Sequence, residues 1–165
     1  MSRESKLASF VGLVAVMRGD IRQYAIASAD WLLASGVRDQ GITSLFSSSW
    51  DCAESFAVLR QLARLRLGGE RFVREIDEFE AEYSDDLCLA TSVAIGSWNC
   101  LAGVWHLREG ASLKDGTLAP SYRSFDSDEQ EELLVRLTRA RETARNLCAS
   151  IHLCLRPERG DEKEH

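Results

Sequence analysis

Only two of the 165 residues are proline, Pro120 and Pro157, and both fall outside the stretches where apolar residues recur at helical spacing. Nothing in those stretches removes a helix hydrogen bond, so long uninterrupted helices are open to this chain. Histidine is nearly as scarce. The three copies, at 106, 152 and 165, are too few to assemble a catalytic or metal cluster of imidazoles in one chain, and no metal or cofactor is expected. The five cysteines, at 52, 88, 100, 148 and 154, form no Cys-x-x-Cys pair and are odd in number. That pattern excludes a zinc knuckle and a closed disulfide framework, and predicts reduced core residues in a cytoplasmic protein. Gly-rich phosphate loops and nucleophile elbows are missing as well. So is any excess of positive charge: 26 acidic side chains against 20 basic ones leave a net charge of −6, which disfavours phosphate backbones and makes a basic protein the easier partner.

Membrane and export signals are weak for physical reasons. The apolar run Leu7 to Met17 is too short to span a bilayer, and Glu4, Arg18, Asp20 and Arg22 around it do not suit a signal peptide. A chain of this length buries roughly 70% of the surface its unfolded form exposes, enough to fold without a metal or disulfide.

What the chain does contain is helical periodicity. Leu7, Phe10, Val11, Val14 and Met17 share one face, with Gly19 as a stop or kink. Ile21, Tyr24, Ala25, Ser28, Trp31 and Leu32 continue it to a terminus at Gly36. After a serine-rich loop, Ser48 with Asp51 three residues on resembles a helix start for the stripe Phe56, Leu59, Ala63 and Leu67. Gly68-Gly69 breaks that helix, and Phe72, Val73, Ile76 and Phe79 define the next. From Leu87 to Trp105 no ionisable acid or base appears apart from the two cysteines, which predicts a helix over 86–109 buried on every side, with Trp98 and Trp105 on one face and Gly110 closing it. Residues 110–126 have no period and read as the longest loop. Ser127 with Gln130 forms a capping box ahead of the cleanest stripe in the chain: Leu133, Leu137, Ala140, Ala144, Cys148, Ile151 and Leu155. The expected fold is therefore all-α: a single-domain bundle of five or six helices over residues 1–156, with 86–109 at its centre, 128–155 packed along it, and 157–165 a disordered acidic tail.

Three features bear on function. The acidic band Glu75, Asp77, Glu78, Glu80, Glu82, Asp85 and Asp86 is either a solvated helix face or a docking surface for a basic protein, with Trp50, at a helix start, as an interface anchor if exposed. Paired carboxylates could also serve a di-metal bundle, but the one Glu-x-x-His match, Glu162 to His165, lies in the tail. Arg145-Asn146 followed by His152, in RNLCASIH, puts Arg and His two turns apart on one helix face. This resembles the Arg…His motif of the HEPN ribonucleases, themselves small helical bundles. The resemblance implies a homodimer whose cleft unites Arg145 and His152 of both protomers to promote attack by an RNA 2′-hydroxyl.

A broader resemblance runs from about Ala27 to Leu107. With SLFSSSWDCAE, REIDEFEAEYSDDLCL and VAIGSWNCLAG, the segment resembles the YjaG-like family of uncharacterised helical bacterial proteins; Trp50-Asp51 matches that family's Trp-acid pair and Cys100-Leu101 part of its later helix. The resemblance implies an all-helical fold and no established activity. Small size, acidity and the lack of a complete catalytic set lead to the expectation of a non-catalytic cytoplasmic protein-binding module, an immunity protein or antitoxin that docks the band 75–86 on a basic toxin. The HEPN-like ribonuclease is the alternative.

Overall fold

The computed structural model describes residues 3–34, 50–68, 70–102, 104–114 and 117–155. In chain order the elements are α1 (Arg3–Ala34), α2 (Cys52–Leu67), α3 (Glu70–Ile95), β1 (Trp98–Leu101), β2 (Val104–Lys114), β3 (Thr117–Ser124) and α4 (Ser127–Leu155). The chain is mostly helical, as its periodicity predicts. It carries four helices among the described residues rather than five or six, and a three-stranded antiparallel sheet of order β1-β2-β3 that the all-α expectation did not include.

Two compact units result. One comprises Met1–Gly19 with Tyr83–Arg141, the other Asp20–Glu82 with Glu142–His165, so α1, α3 and α4 each supply a segment to both. The three helices share a spacing rule. On α3 the buried residues are Phe72, Ile76, Phe79, Tyr83, Asp86, Leu87, Ala90 and Val93, which step by four and three; on α4 they are Leu133, Leu137, Ala140, Ala144, Leu147, Cys148 and Ile151. That spacing, close to 3.5 residues, sets the buried residues of each helix on one apolar stripe. Along α1 the seam passes through Phe10, Val14, Ile21, Ala25, Ile26, Ala29 and Leu32, and Gly19 does not stop it. Gly19 is exposed and has open space around it, so an isolated glycine simply costs about 1 kcal/mol of helix propensity there.

The start signals lie one or a few residues from their predicted positions. Asp51 itself caps α2: its Oδ1 accepts from the Glu54 amide at 2.8 Å, and Glu54 Oε2 accepts from the Asp51 amide at 2.8 Å. At α4 the cap is Asp126 rather than Ser127, with Oδ1 accepting from the Asp128 and Glu129 amides at 2.9 and 2.8 Å while Glu129 reaches back to the Asp126 amide. In both cases an aspartate with glutamate three residues later completes the reciprocal box. Gly36, the 47–49 serines and the 157–165 tail lie outside the described residues.

The largest correction concerns 86–109. Helix α3 ends at Ile95, and Trp98 and Trp105 stand on neighbouring strands, where Cys100 pairs with Trp105 and Trp98 with Leu107. Two forces end the helix there. The Trp98 Nε1 donates back to the Val93 carbonyl at 3.1 Å, satisfying one terminal acceptor, and the Trp98 ring packs edge-on to Phe10 at 6.5 Å and tilted on Phe125 at 5.6 Å. Burial in this aromatic trio favours the strand over another helical turn. The expected 110–126 loop is likewise mostly strand, since Lys114 pairs with Thr117 and leaves only Asp115-Gly116 between β2 and β3. A register shift between Arg108 and Gly110 makes Glu109 the extra residue of a bulge.

Between β1 and β2, Leu101 pairs with Val104, and Ala102 in the connection has φ 49°. The left-handed region costs a residue with a Cβ about 1–2 kcal/mol. Ala102→Asn, which places Asn before Gly103 as two-residue hairpin turns prefer, is expected to raise the free energy of unfolding by about 0.5–1 kcal/mol. Chemical denaturation would check this; a loss of stability would show that the connection is not a turn of that type.

Candidate functional site

The acidic band does not act as one surface, because α3 turns its carboxylates through a full circle. Asp86 falls on the buried seam at 4% exposure and is held by Arg136, whose Nη2 lies 2.7 Å from Oδ1 and whose Nε donates to Oδ2 at 2.9 Å. It cannot reach a partner and leaves the predicted docking set. Asp77 and Glu80 turn toward α2, where Arg60 meets them at 3.0 and 3.4 Å. Burial pushes the Glu80 carboxyl above its ordinary value, Arg60 pulls it down, and Asp77 adds to the rise. Burial wins, which fits a glutamate sharing one guanidinium with a closer aspartate. Asp85 is exposed, and it belongs to the unit that contains Tyr83–Arg141.

The remaining acids, Glu75, Glu78 and Glu82, form a line on α3 at steps of three and four residues. They border a groove of about 280 Å³ in the second unit. From α4 the opposite border is Thr143, Asn146 and Ser150, and the buried rings and chains of Phe79 and Leu147 line it between them. Arg71 closes the Glu75 end: its Nε donates to Glu75 Oε1 at 2.8 Å, and its guanidinium lies over the Phe72 ring at 5.2 Å. Glu78 has only a loose contact with Arg74 at 3.9 Å, both side chains being largely exposed. Glu82 is exposed and has no ion pair among the described residues. The groove thus has an acidic wall whose negative charge is neutralised at one end and open at the other.

Trp50 is half-buried, and its carbonyl accepts a hydrogen bond from Arg22 Nε. Its indole is therefore not the fully exposed anchor that the docking idea asked for. Arg145 is exposed on α4. His152, two turns on, stacks tilted on Trp31 with ring centroids 4.6 Å apart, and its Nε2 lies 3.6 Å from Cys148 Sγ. Burial raises the Cys148 thiol above its ordinary value, the opposite of what an activated nucleophile needs. All five cysteines are free, but only Cys52 and Cys148 are buried; Cys88, Cys100 and Cys154 occupy outward positions and are exposed, contrary to the expectation of core cysteines.

Among the described residues no group of three or more His, Cys, Asp or Glu side chains is arranged to hold a metal ion. No described helix is long and apolar enough to cross a membrane. Compared with known proteins, the chain matches no family model, no curated protein and no solved structure. The sequence reading missed the α4 side of the groove. Thr143, Asn146 and Ser150 are a stripe of uncharged polar residues beside the apolar seam, and of the three only Thr143 lies outside RNLCASIH.

Proposed function

We propose that the protein is a non-catalytic cytoplasmic protein-binding module, an immunity protein or antitoxin that neutralises a basic toxin by docking an acidic surface against it. The observation that carries the reading is the open acidic line of Glu78 and Glu82 along the α3/α4 groove. Carboxylates that internal cations hold loosely, as Arg74 holds Glu78, or not at all steer a cationic surface into contact and reject acidic ones, and they can cover the cationic site that a nucleic-acid enzyme needs for its substrate. Asp77, Glu80 and Asp86 serve the fold through Arg60 and Arg136 instead, so the docking surface is narrower than the 75–86 band.

The test begins with capture of the tagged protein from the lysate of its native cells, washed at low and then high salt. A single stoichiometric basic partner, released by salt and toxic when expressed alone, is the expected result. Glu78→Lys with Glu82→Lys should then raise its Kd by about a hundredfold and restore toxicity on co-expression. Unchanged affinity would remove the acidic line from the mechanism. Capture of RNA with a second copy of the chain would overturn the inhibitor reading in favour of the ribonuclease one, to be tested by Arg145→Ala and His152→Ala.

A further inference from the structure

The groove between α3 and α4 has more form than an acidic surface requires. Its two borders are Glu75, Glu78 and Glu82 on one side and Thr143, Asn146 and Ser150 on the other, each spanning seven residue steps or roughly 10 Å of helix. Along its length Phe79 and Leu147, 2% and 6% exposed, offer an apolar floor. A lysine or arginine has the matching composition, an apolar stem ending in a cation. A helix carries such residues at i, i+4 and i+7 with the same repeat as the groove.

We infer that the groove receives one basic helix of the partner, with a lysine or arginine laid over Phe79 and Leu147 and its cation placed between the Glu78 and Glu82 carboxylates and the amide of Asn146. This rests on the reading of the chain as an acidic docking protein and names the element that it docks. Charge sets the direction. The Glu75 end is occupied by Arg71, which repels a second cation, so the basic residues of the incoming helix gather at the Glu82 end. There a guanidinium or ammonium can form charge-assisted hydrogen bonds with carboxylates that no internal cation holds closely.

The probe is a four-turn amphipathic peptide with lysine at i, i+4 and i+7 on one face and leucine beside them. Its affinity is read by fluorescence anisotropy at low salt, and its position by the NMR shift of the Asn146 side-chain amide. Glu78→Gln with Glu82→Gln should weaken binding by about tenfold, whereas the control pair Glu131→Gln with Glu142→Gln, exposed acids of α4 with the same change in net charge, should weaken it by less than about twofold. Thr143→Trp fills the groove from an exposed position without altering charge, and it should also weaken binding by about tenfold and abolish the Asn146 shift. Equal losses in the control pair, or no loss in Thr143→Trp, would mean that the attraction is diffuse, and the inference would fall. The underlying reading fails separately, when capture from native cells yields no basic partner.

Discussion

Gly96→Ala is expected to cost about 3 kcal/mol of folding free energy, a core-scale loss from the addition of one methyl group. The residue sits where α3 hands over to β1, and its amide still donates to the Ser92 carbonyl at 2.8 Å. A Cβ at this position would collide with that same carbonyl oxygen and with Cδ1 of Leu107, well inside contact distance. Leu107 is fully buried and paired in the sheet opposite Trp98, so it cannot swing away, and the other obstacle is backbone. Relief needs a shift of the helix end itself. The same change at Gly12 meets open space, and there alanine should gain about 0.5–1 kcal/mol through helix propensity. Urea unfolding of the two variants should therefore give shifts of opposite sign. If Gly96→Ala lost less than about 1 kcal/mol, the close approach of Leu107 to the helix end would be wrong. Because Ser92 contributes the backbone contact, Leu107→Val in the Gly96→Ala background should recover only part of the loss.

The long helices were legible in the sequence because their seams are strict. Spacing alone places Phe56, Leu59, Ala63, Phe72, Ile76, Phe79, Leu133, Leu137, Ala140, Ala144, Cys148 and Ile151 inward, and all are buried. The sheet was not legible from absence of charge, since a run without charge suits a buried helix and a strand equally. Better signals were present. Gly96 ends α3, Asp115-Gly116 is the dipeptide that joins strands in two-residue hairpins, and Trp98, Trp105 and Tyr122 are strand formers. The long-range partners that settle the choice, Phe10 and Phe125 around Trp98, cannot be read from the local pattern. For the candidate site, the sequence showed the acids but not their azimuth. Continuing the α3 seam beyond Phe79 in steps of four and three leads through Tyr83 to Asp86, and that arithmetic alone would have moved Asp86 from the surface to the core.

That placement leads to the second large effect. Arg136→Met should destabilise the protein by about 2–3 kcal/mol, because it leaves the Asp86 carboxylate in the seam without its cation. Full loss of a buried pair would cost more, but the Arg136 side chain is 46% exposed and water can partly replace it, whereas that of Asp86 is only 6% exposed. Asp86→Asn should therefore be the milder variant, at about 1 kcal/mol, since the freed guanidinium can turn to solvent or to Glu132, 3.8 Å away. Replacing both, with Asp86→Leu and Arg136→Met, removes the buried charge together with its partner and should recover most of the single-variant loss. Equilibrium denaturation of the wild type, Asp86→Leu, Arg136→Met and the double variant gives the coupling energy as a double-mutant cycle, and additive losses would show that the pair does not act as a unit. The functional reading makes a further demand on this cycle. Asp86 lies four residues from Glu82 in sequence yet serves packing, so the double variant should keep the affinity for the basic partner that Glu78→Lys with Glu82→Lys removes. A docking loss in a double variant of native stability would return Asp86 to the binding surface and contradict its place in the seam.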